Sequence, residues 1–331
     1  TKRLRRFFKK GSDDDDDDHR RIAMNDEFTP RNFLEHTAGF ASLWPPKFAA
    51  AFAQLDAAYF GGTENRPWRD ALRYLRRRAT PLAEDVGSFA YHAVSFGWTV
   101  GAVAELASGK SYVDLQNDRL TARLGLERHL FARLPFPPPR RPPNDEDDDP
   151  WGRLADVCVG DDDLRSLDLR SLESALGPDP RLLNEPALRS TLLPSSTMHA
   201  SAFGLATLFG AIANGGRLGR SEKSVSRRFL DRATVDSLNR NFQAACLQRE
   251  QDNEDLGAPL GFRPYLLSDL DGGRRYAFGH AGLGQLHAFA DPQSGLAVAC
   301  VVNKLAANPT AAEDAINLIL RDRGIALLLH G

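Results

Sequence analysis

The sequence predicts an α+β fold, in which helices precede a small antiparallel sheet. Apolar residues recur at helical spacing through much of the first two thirds of the chain. The last third instead contains three strand patterns, over residues 273–280, 284–290 and 295–303. Turn residues at Gly282–Gly284 and at Asp291 and Pro292 separate these strands. An amphipathic helix over 310–320 follows, so we expect an antiparallel sheet flanked by helices.

The helices are predicted in order along the chain from their caps and stops. Thr29 is suited to cap the first helix, with Pro30 at its first position and Gly39 as a stop. Gly109 and the Asn214–Gly216 turn are suited to end two later helices. The further helices are predicted over residues 47–59, 67–78, 97–108, 111–125, 201–213 and 231–241.

Two segments do not have the pattern of packed structure. Residues 1–27 combine a basic cluster, Thr1–Lys10, with an aspartate run, Asp13–Asp18, and blocks of like charge favour a solvated, disordered segment. Binding of the basic cluster to a membrane surface or to RNA is the alternative. Residues 135–150 are rich in proline and acid, which predicts an exposed insertion. The remaining domain is expected over 28–331.

Composition excludes several classes of protein. With 42 Lys and Arg against 44 Asp and Glu, the net charge of −2 disfavours nucleic acid as a partner. No stretch reaches the roughly 18 apolar residues of a transmembrane helix. The distant cysteines Cys158, Cys246 and Cys300 exclude a disulfide scaffold and favour a reducing, intracellular compartment. No histidine pair has metal-binding spacing, so we expect neither a metal nor a cofactor.

Three motifs occur in a characteristic order. They are LEHTAGF at Leu34–Phe40, YHAVSFGWTVG at Tyr91–Gly101 and FGHAGLG at Phe278–Gly284. A helix pattern ending in Asn-Gly-Gly, over 193–216, lies between the second and the third. Together they resemble the serine beta-lactamase-related hydrolases, a family that includes class C beta-lactamases, DD-peptidases and family VIII-type esterases. The resemblance runs from about Phe28 to Leu320.

The resemblance implies a beta-lactamase/DD-peptidase-like fold and a small ester or amide substrate, cleaved through a serine acyl-enzyme. Tyr91 would then be the general base or proton shuttle. His280 stands where the third motif has a lysine, and would orient the substrate or the tyrosine. The strand with Ala281, Gly282 and Gly284 would be a sheet edge that presents backbone N–H groups to the substrate carbonyl oxygen. Ala93 replaces an asparagine of the second motif, which favours an esterase over a true beta-lactamase.

The family's nucleophile motif, S-x-x-K, is missing. None of the seven lysines follows a serine by three positions, and only 35 residues precede His36. One explanation is that the chain is incomplete at its N-terminus, which its non-Met start favours. The other is a catalytically inactive pseudoenzyme or interaction domain, in a larger protein with an atypical kinase-like domain of the ubiquinone-biosynthesis type. In either case the chain alone is predicted to be inactive, and Tyr91 and His280 are predicted to face each other across one cleft.

Overall fold

The described part of the chain divides into two compact units. The first unit comprises the described residues within 1–116, 131–157 and 168–199, and the second comprises those within 117–130, 158–167 and 200–331. The predicted segment 1–27, Gly284 and most of the predicted insertion 135–150 lie outside the described residues. The computed structural model describes residues 29–41, 45–53, 56–61, 65–77, 81, 86–138, 151, 154–161, 163, 180–218, 228–282, 286–306 and 310–330.

The first unit is helical. Its core is built around aromatic rings, among them Phe48, which meets Phe60 and Trp98 edge to face at centroid distances of 5.5 and 5.3 Å. Its helices are α1 (Pro30–Leu34), α2 (Pro46–Ala53), α3 (Ala57–Phe60), α4 (Arg66–Arg77), α5 (Ser95–Ser108), α6 (Tyr112–Gln116) and α8 (Pro186–Arg189), with a 3-10 turn at Pro180–Asn184.

Helix α5 is the central element of this unit. It buries Trp98 and Ala102, and it ends at Gly109, whose φ of 74° allows its N–H to reach the carbonyl of Glu105. Gly101 allows helix α4 to come close, because a Cβ at this position would lie 2.4 Å from Cη2 of Trp68. The predicted stop at Gly109 is therefore confirmed.

The second unit contains a five-stranded antiparallel sheet. The helices of this unit are α7 (Ala122–Leu124), α9 (Ala202–Ala213), α10 (Arg232–Gln251) and α11 (Ala311–Arg321), with a π segment at Asn117–Thr121 and a 3-10 turn at Pro259–Gly261. The strands of the sheet are β4 (Arg263–Asp269), β5 (Arg274–Gly282), β6 (Leu286–Asp291), β7 (Leu296–Cys300) and β9 (Ile325–His330). They lie side by side in the order β7-β6-β5-β4-β9. The described residues also include four short strands: β1 (Leu130–Phe131), β2 (Cys158–Val159), β3 (His199–Ala200) and β8 (Lys304–Leu305).

Helices cover both faces of this sheet, as alternating side chains require. On one face, Leu266 and Phe278 pack with Phe242 of α10 and Ile212 of α9. The opposite face joins the sheet to α11, with a core formed by Tyr265, Leu267, Ala277, Phe289, Val298, Ile316, Leu320 and Ile325. The predicted arrangement of an antiparallel sheet between helices is present in this unit.

The first predicted helix is shorter than expected. It starts at Pro30 after Thr29, as predicted, but it ends at Leu34 rather than near Gly39. The reason is tertiary: His36 has a left-handed backbone, with φ of 58°, and its polar groups bond to a distant segment instead of continuing the helix.

Three other helices differ from their predictions. The pattern over 47–59, predicted as one helix, gives two helices, α2 and α3. The pattern over 111–125 is divided into α6, the π segment and α7. Helix α10, predicted over 231–241, extends to Gln251, with Asp231 capping it through a 2.8 Å bond from the N–H of Thr234. Within the described part of the chain, no helix is both long and apolar enough to cross a membrane.

Candidate active site

Tyr91 lies at the surface of the first unit, in the segment that leads into α5. The residue is 44% exposed. Its ring packs against the imidazole of His36, with the ring centroids 5.0 Å apart. The tyrosine is thus supported from beneath by a buried ring while part of it remains accessible to a ligand.

His36 holds the backbone on both sides of Tyr91. Its Nδ1 atom accepts the backbone N–H of His92 at 2.9 Å, and its carbonyl accepts the N–H of Ala90 at 3.0 Å. Its ring also stacks on Phe96 at a centroid distance of 4.5 Å. A left-handed conformation is costly for a histidine, and these contacts to the Tyr91 segment stabilise it.

His92, in the second motif, makes hydrogen bonds back to the first motif. Its Nε2 atom accepts the backbone N–H of Phe40 at 3.0 Å, so its proton lies on Nδ1, which donates to the carbonyl of Ala90. The carbonyl of Phe40 in turn accepts the hydroxyl of Ser95 at 2.6 Å. Because His36 and His92 each use one ring nitrogen as an acceptor, both imidazoles are neutral.

His36 and His92 lie in the first and second motifs, but neither was assigned a role from the sequence. The available signal was chemical: each is a polar residue in a segment that the apolar pattern places in the core. Buried polar groups need partners. Two such residues in adjacent motifs therefore indicate a shared hydrogen-bond network.

The third motif occupies the end of β5 in the second unit. This motif was expected on an edge strand, but β5 is interior, between β4 and β6. Pairing with β4 ends at the Arg263–Gly279 pair, whereas pairing with β6 continues to Gly282. In the described ladder, His280, Ala281 and Gly282 therefore extend beyond β4, and only this end of β5 forms an edge.

His280 keeps an exposed surface at this edge. Packing of protein around the ring lowers the pKa of His280 below its usual value, and the positive charge of Arg263 lowers it further. A backbone hydrogen bond at Ala281 opposes this change. The imidazole is therefore neutral at pH 7 and acts there as a hydrogen-bonding group rather than a cation.

The closest backbone approach in this strand occurs at Gly279. A Cβ at Gly279 would lie 2.1 Å from the carbonyl oxygen of Ala288, whereas one at Gly282 would lie 3.3 Å from Cβ of Leu286. The close approach expected at Gly282 and Gly284 is an approach to the substrate, and it stays a prediction. Gly282 has more room than Gly279, and Gly284 is outside the described residues.

Tyr91 belongs to the first unit and His280, Ala281 and Gly282 belong to the second. In the structure, Tyr91 lies beside His36 and His92, and His280 lies in the end of β5 that extends beyond β4. That Tyr91 and His280 face one cleft stays a prediction.

A serine nucleophile needs a nearby base, and the described lysines are one possible source of that base. Lys47, Lys110 and Lys304 are all exposed. Ser201 bonds to Nδ1 of His129 at 3.0 Å, but its oxygen also accepts the N–H of Gly204 at 3.0 Å. This serine caps helix α9, so its hydroxyl is already engaged in a structural role. Within the ranges that the structure describes, no group of three or more His, Cys, Asp or Glu side chains is arranged to hold a metal ion.

Comparison with known proteins gives matches over most of the chain. The family model described as Beta-lactamase matches residues 22–322. LipL, an esterase/beta-lactamase of Mycobacterium tuberculosis, is 27% identical over 300 residues, which are 83% of this chain and 65% of LipL.

Solved structures show the same fold. A family VIII carboxylesterase matches with a TM-score of 0.57 and 22% identity, over 85% of this chain and 66% of that protein. A penicillin-binding protein homologue from Caulobacter crescentus matches with a TM-score of 0.57 and 24% identity, over 86% of this chain and 68% of that protein. The chain thus spans somewhat less than two thirds of the lengths of LipL and of the carboxylesterase.

Proposed function

This chain belongs to the beta-lactamase family, and from that premise we propose that it forms the proton-transfer and substrate-binding part of an esterase-type serine hydrolase. The family resemblance and the fold class predicted from the motifs are both confirmed by the comparisons. The esterase reaction, the roles of individual residues and the source of the nucleophile are the content of the proposal.

The observation that carries the proposal is the framework around Tyr91. Two buried histidines fix the backbone on both sides of a residue that is itself 44% exposed. Buried hydrogen bonds normally stabilise buried groups, whereas here they position an accessible phenol. Such a pre-positioned phenol suits a group that must transfer a proton in a defined geometry.

In the proposed reaction a serine hydroxyl attacks the carbonyl carbon of an ester. Tyr91, acting as the general base, takes the hydroxyl proton as the new C–O bond forms. The tetrahedral intermediate then expels the alkoxide, which takes this proton back and leaves as the alcohol. Water repeats the sequence on the acyl-enzyme and releases the acid.

The free end of β5 is proposed to bind the substrate. Beyond β4, the backbone from His280 to Gly282 has an edge on which N–H groups can stabilise the negative carbonyl oxygen of the intermediate. The neutral imidazole of His280 can bond to an ester oxygen, but it provides no positive charge for a carboxylate. The preference for an ester over a beta-lactam rests on Ala93, which replaces an asparagine of the second motif.

The nucleophile is the point at which the proposal departs from the rest of the family. No S-x-x-K occurs in residues 1–331, so we expect this chain alone to show no turnover. The same observation favours a second candidate function, a pseudoenzyme that keeps the family fold as an interaction domain.

The test compares the chain with the longest product translated from its transcript. If that product carries an in-frame S-x-x-K, we expect it to hydrolyse p-nitrophenyl esters faster than nitrocefin, while residues 1–331 alone hydrolyse neither. In the active product, Tyr91→Phe should lower kcat by roughly 10²- to 10⁴-fold. Tyr74→Phe, a change of the same type on α4, should leave kcat unaltered.

Three results would contradict this expectation. A transcript without S-x-x-K and a product without turnover would favour the pseudoenzyme. Labelling of a serine within residues 1–331 by a p-nitrophenyl ester would overturn the argument about the nucleophile. Full activity of Tyr91→Phe would remove the role given to the phenol.

A further inference from the structure

Helix α5, which follows Tyr91, begins without a cap from its own segment. Val94 is its N-cap residue, and the aliphatic side chain of Val94 offers no hydrogen-bond acceptor. The first N–H groups of an α-helix have no carbonyl partner inside the helix. Val94 is buried, and so is Gly97 in the first turn, so this helix start needs an acceptor from elsewhere in the protein.

Ser195 supplies this acceptor from 98 residues further along the chain. Its Oγ atom accepts the N–H of Gly97 at 2.8 Å, and its hydroxyl donates to the carbonyl of Val94 at 3.1 Å. Gly97 is the third residue of α5, and its N–H is one of those that an N-cap side chain normally accepts. Ser195 therefore caps α5 in the place of Val94.

Gly97 allows the two segments to come this close. A Cβ at Gly97 would lie 2.6 Å from the backbone nitrogen of Ser195, 2.7 Å from its Oγ and 3.0 Å from Cβ of Pro194. Any larger residue would push Ser195 away from the helix. The glycine of the second motif is thus required by a contact with a distant part of the chain.

The segment that carries Ser195 is held by hydrogen bonds of its own. The buried Thr197 accepts the N–H of Leu193 on its hydroxyl oxygen at 3.0 Å and donates to the carbonyl of Thr191 at 2.5 Å. The hydroxyl of Thr191 lies 3.1 Å from the carbonyl oxygen of Phe60, a residue of the aromatic core. The position of Ser195 is therefore fixed relative to the core of the first unit.

Tyr91 lies immediately before the capped turn. Only two residues separate it from Val94, and these residues belong to the first unit, as Ser195 does. The bond between His36 and His92 holds one end of this short connection, and Ser195 holds the other. An uncapped first turn frays more readily, and so short a connection transmits that motion to the phenol.

We propose that Ser195 is a positioning residue for Tyr91, which it holds in place by capping α5. The proposal rests on the proposed function only for the use of this position, which is the transfer of a proton by the phenol. The position itself can be measured on residues 1–331 without any turnover.

The experiment is fluorine-19 NMR of residues 1–331 with 3-fluorotyrosine at all six tyrosines. The signal of Tyr91 is assigned by its loss in Tyr91→Phe. In Ser195→Ala we expect this signal to shift or broaden by more than its linewidth in the parent chain, while the other tyrosine signals stay in place. Ser108→Ala is the matched control, because the Ser108 hydroxyl bonds to the carbonyl of Ala104 at the opposite end of α5. It should leave the Tyr91 signal unchanged.

A second pair of variants keeps the shape of the side chain and changes only the hydroxyl. Ser195→Thr retains the acceptor and should keep the Tyr91 signal sharp, whereas Ser195→Val should alter it as Ser195→Ala does. The amide of Gly97 should exchange its hydrogen roughly tenfold faster in Ser195→Val than in Ser195→Thr, because the N–H has lost its acceptor.

Kinetics add a readout in any longer product that hydrolyses p-nitrophenyl esters. Ser195→Ala should lower kcat more than it changes KM. Combined with Tyr91→Phe it should cause no further loss, since Ser195 acts only through the phenol.

The proposal is overturned by a Tyr91 signal that stays unchanged in both Ser195→Ala and Ser195→Val, even if their melting temperatures fall. An equal response to Ser108→Ala, or additive losses of kcat in the double variant, would overturn it as well. A product without turnover would count against the proposed function alone, because the NMR result does not depend on a nucleophile.

Discussion

The Nδ1 atom of His36 lies 2.9 Å from the backbone nitrogen of His92, 56 residues further along the chain, and accepts its hydrogen bond. This bond links the first two sequence motifs. It also fixes the peptide that follows Tyr91, so the position of the phenol depends on a residue outside its own segment.

Removal of the His36 ring should therefore destabilise the first unit. In His36→Ala the buried N–H of His92 has lost its acceptor, and we expect the free energy of unfolding to fall by roughly 1–3 kcal/mol. Urea denaturation measures this change. Glu35→Ala, which breaks only the i,i+4 pair with Arg31, is the neighbouring control and should cost about 0.5 kcal/mol or less. Equal effects of the two substitutions would show that the His36 bond contributes little.

Two glycines of the third motif should respond differently to the same substitution. Gly279→Ala places a methyl group against the backbone of β6 and should lower stability by roughly 1–3 kcal/mol. Gly282→Ala meets only the side chain of Leu286, at a longer distance, and should be much less costly. Thermal unfolding of the two variants gives the comparison. Similar melting temperatures would contradict the close approach of β5 and β6 at Gly279.

The buried ion pair between β5 and β6 should contribute more to stability than the neighbouring exposed ion pair of Arg274. Nε of Arg275 lies 2.8 Å from Oδ2 of Asp291, and both side chains are buried. Arg275→Met leaves a buried carboxylate without its cation and should cost roughly 3 kcal/mol. Arg274→Met removes an exposed pair with Glu250 and should cost about 1 kcal/mol or less. Guanidinium denaturation measures the loss of unfolding free energy in each variant. A smaller loss for Arg275→Met than for Arg274→Met would refute the prediction.

Stability should fall in mild acid partly because of His199. Burial, aided by the positive charge of Arg189, lowers the pKa of this histidine to about 4, against a backbone hydrogen bond at Thr197. The unfolded chain, with a histidine pKa of about 6.5, then binds the proton more readily than the folded one. The contribution of neutral His199 to the free energy of unfolding is complete above about pH 6.5 and is lost as the pH falls toward 4.

A variant without this histidine isolates its contribution. Between about pH 7.5 and about pH 4.5, His199→Gln should lose roughly 2 kcal/mol less stability than the parent chain. Urea titrations at the two pH values measure the difference. Parallel losses in both proteins would mean that His199 does not titrate as described.

Local patterns predicted most of the elements and part of the candidate site. The start at Pro30, the stop at Gly109 and the strands β5 to β7 follow from side-chain periodicity, caps and turns, which involve only neighbouring residues. The order of the motifs along the chain indicated Tyr91 and His280. The early end of α1 at Leu34 could not be predicted in this way, because the bonds of His36 that end it are made with residues more than 50 positions away.

By itself, the sequence determined the family, the α+β class and the residue types at the three motifs, because these depend on the order of residues along one chain. Tertiary structure alone decided that His36 and His92 hold Tyr91, that β5 extends beyond β4 at His280, and that the tight contact falls at Gly279. Each of these depends on which distant backbone groups meet. That choice is made by the packing of the whole unit, in which every buried polar group must find a partner.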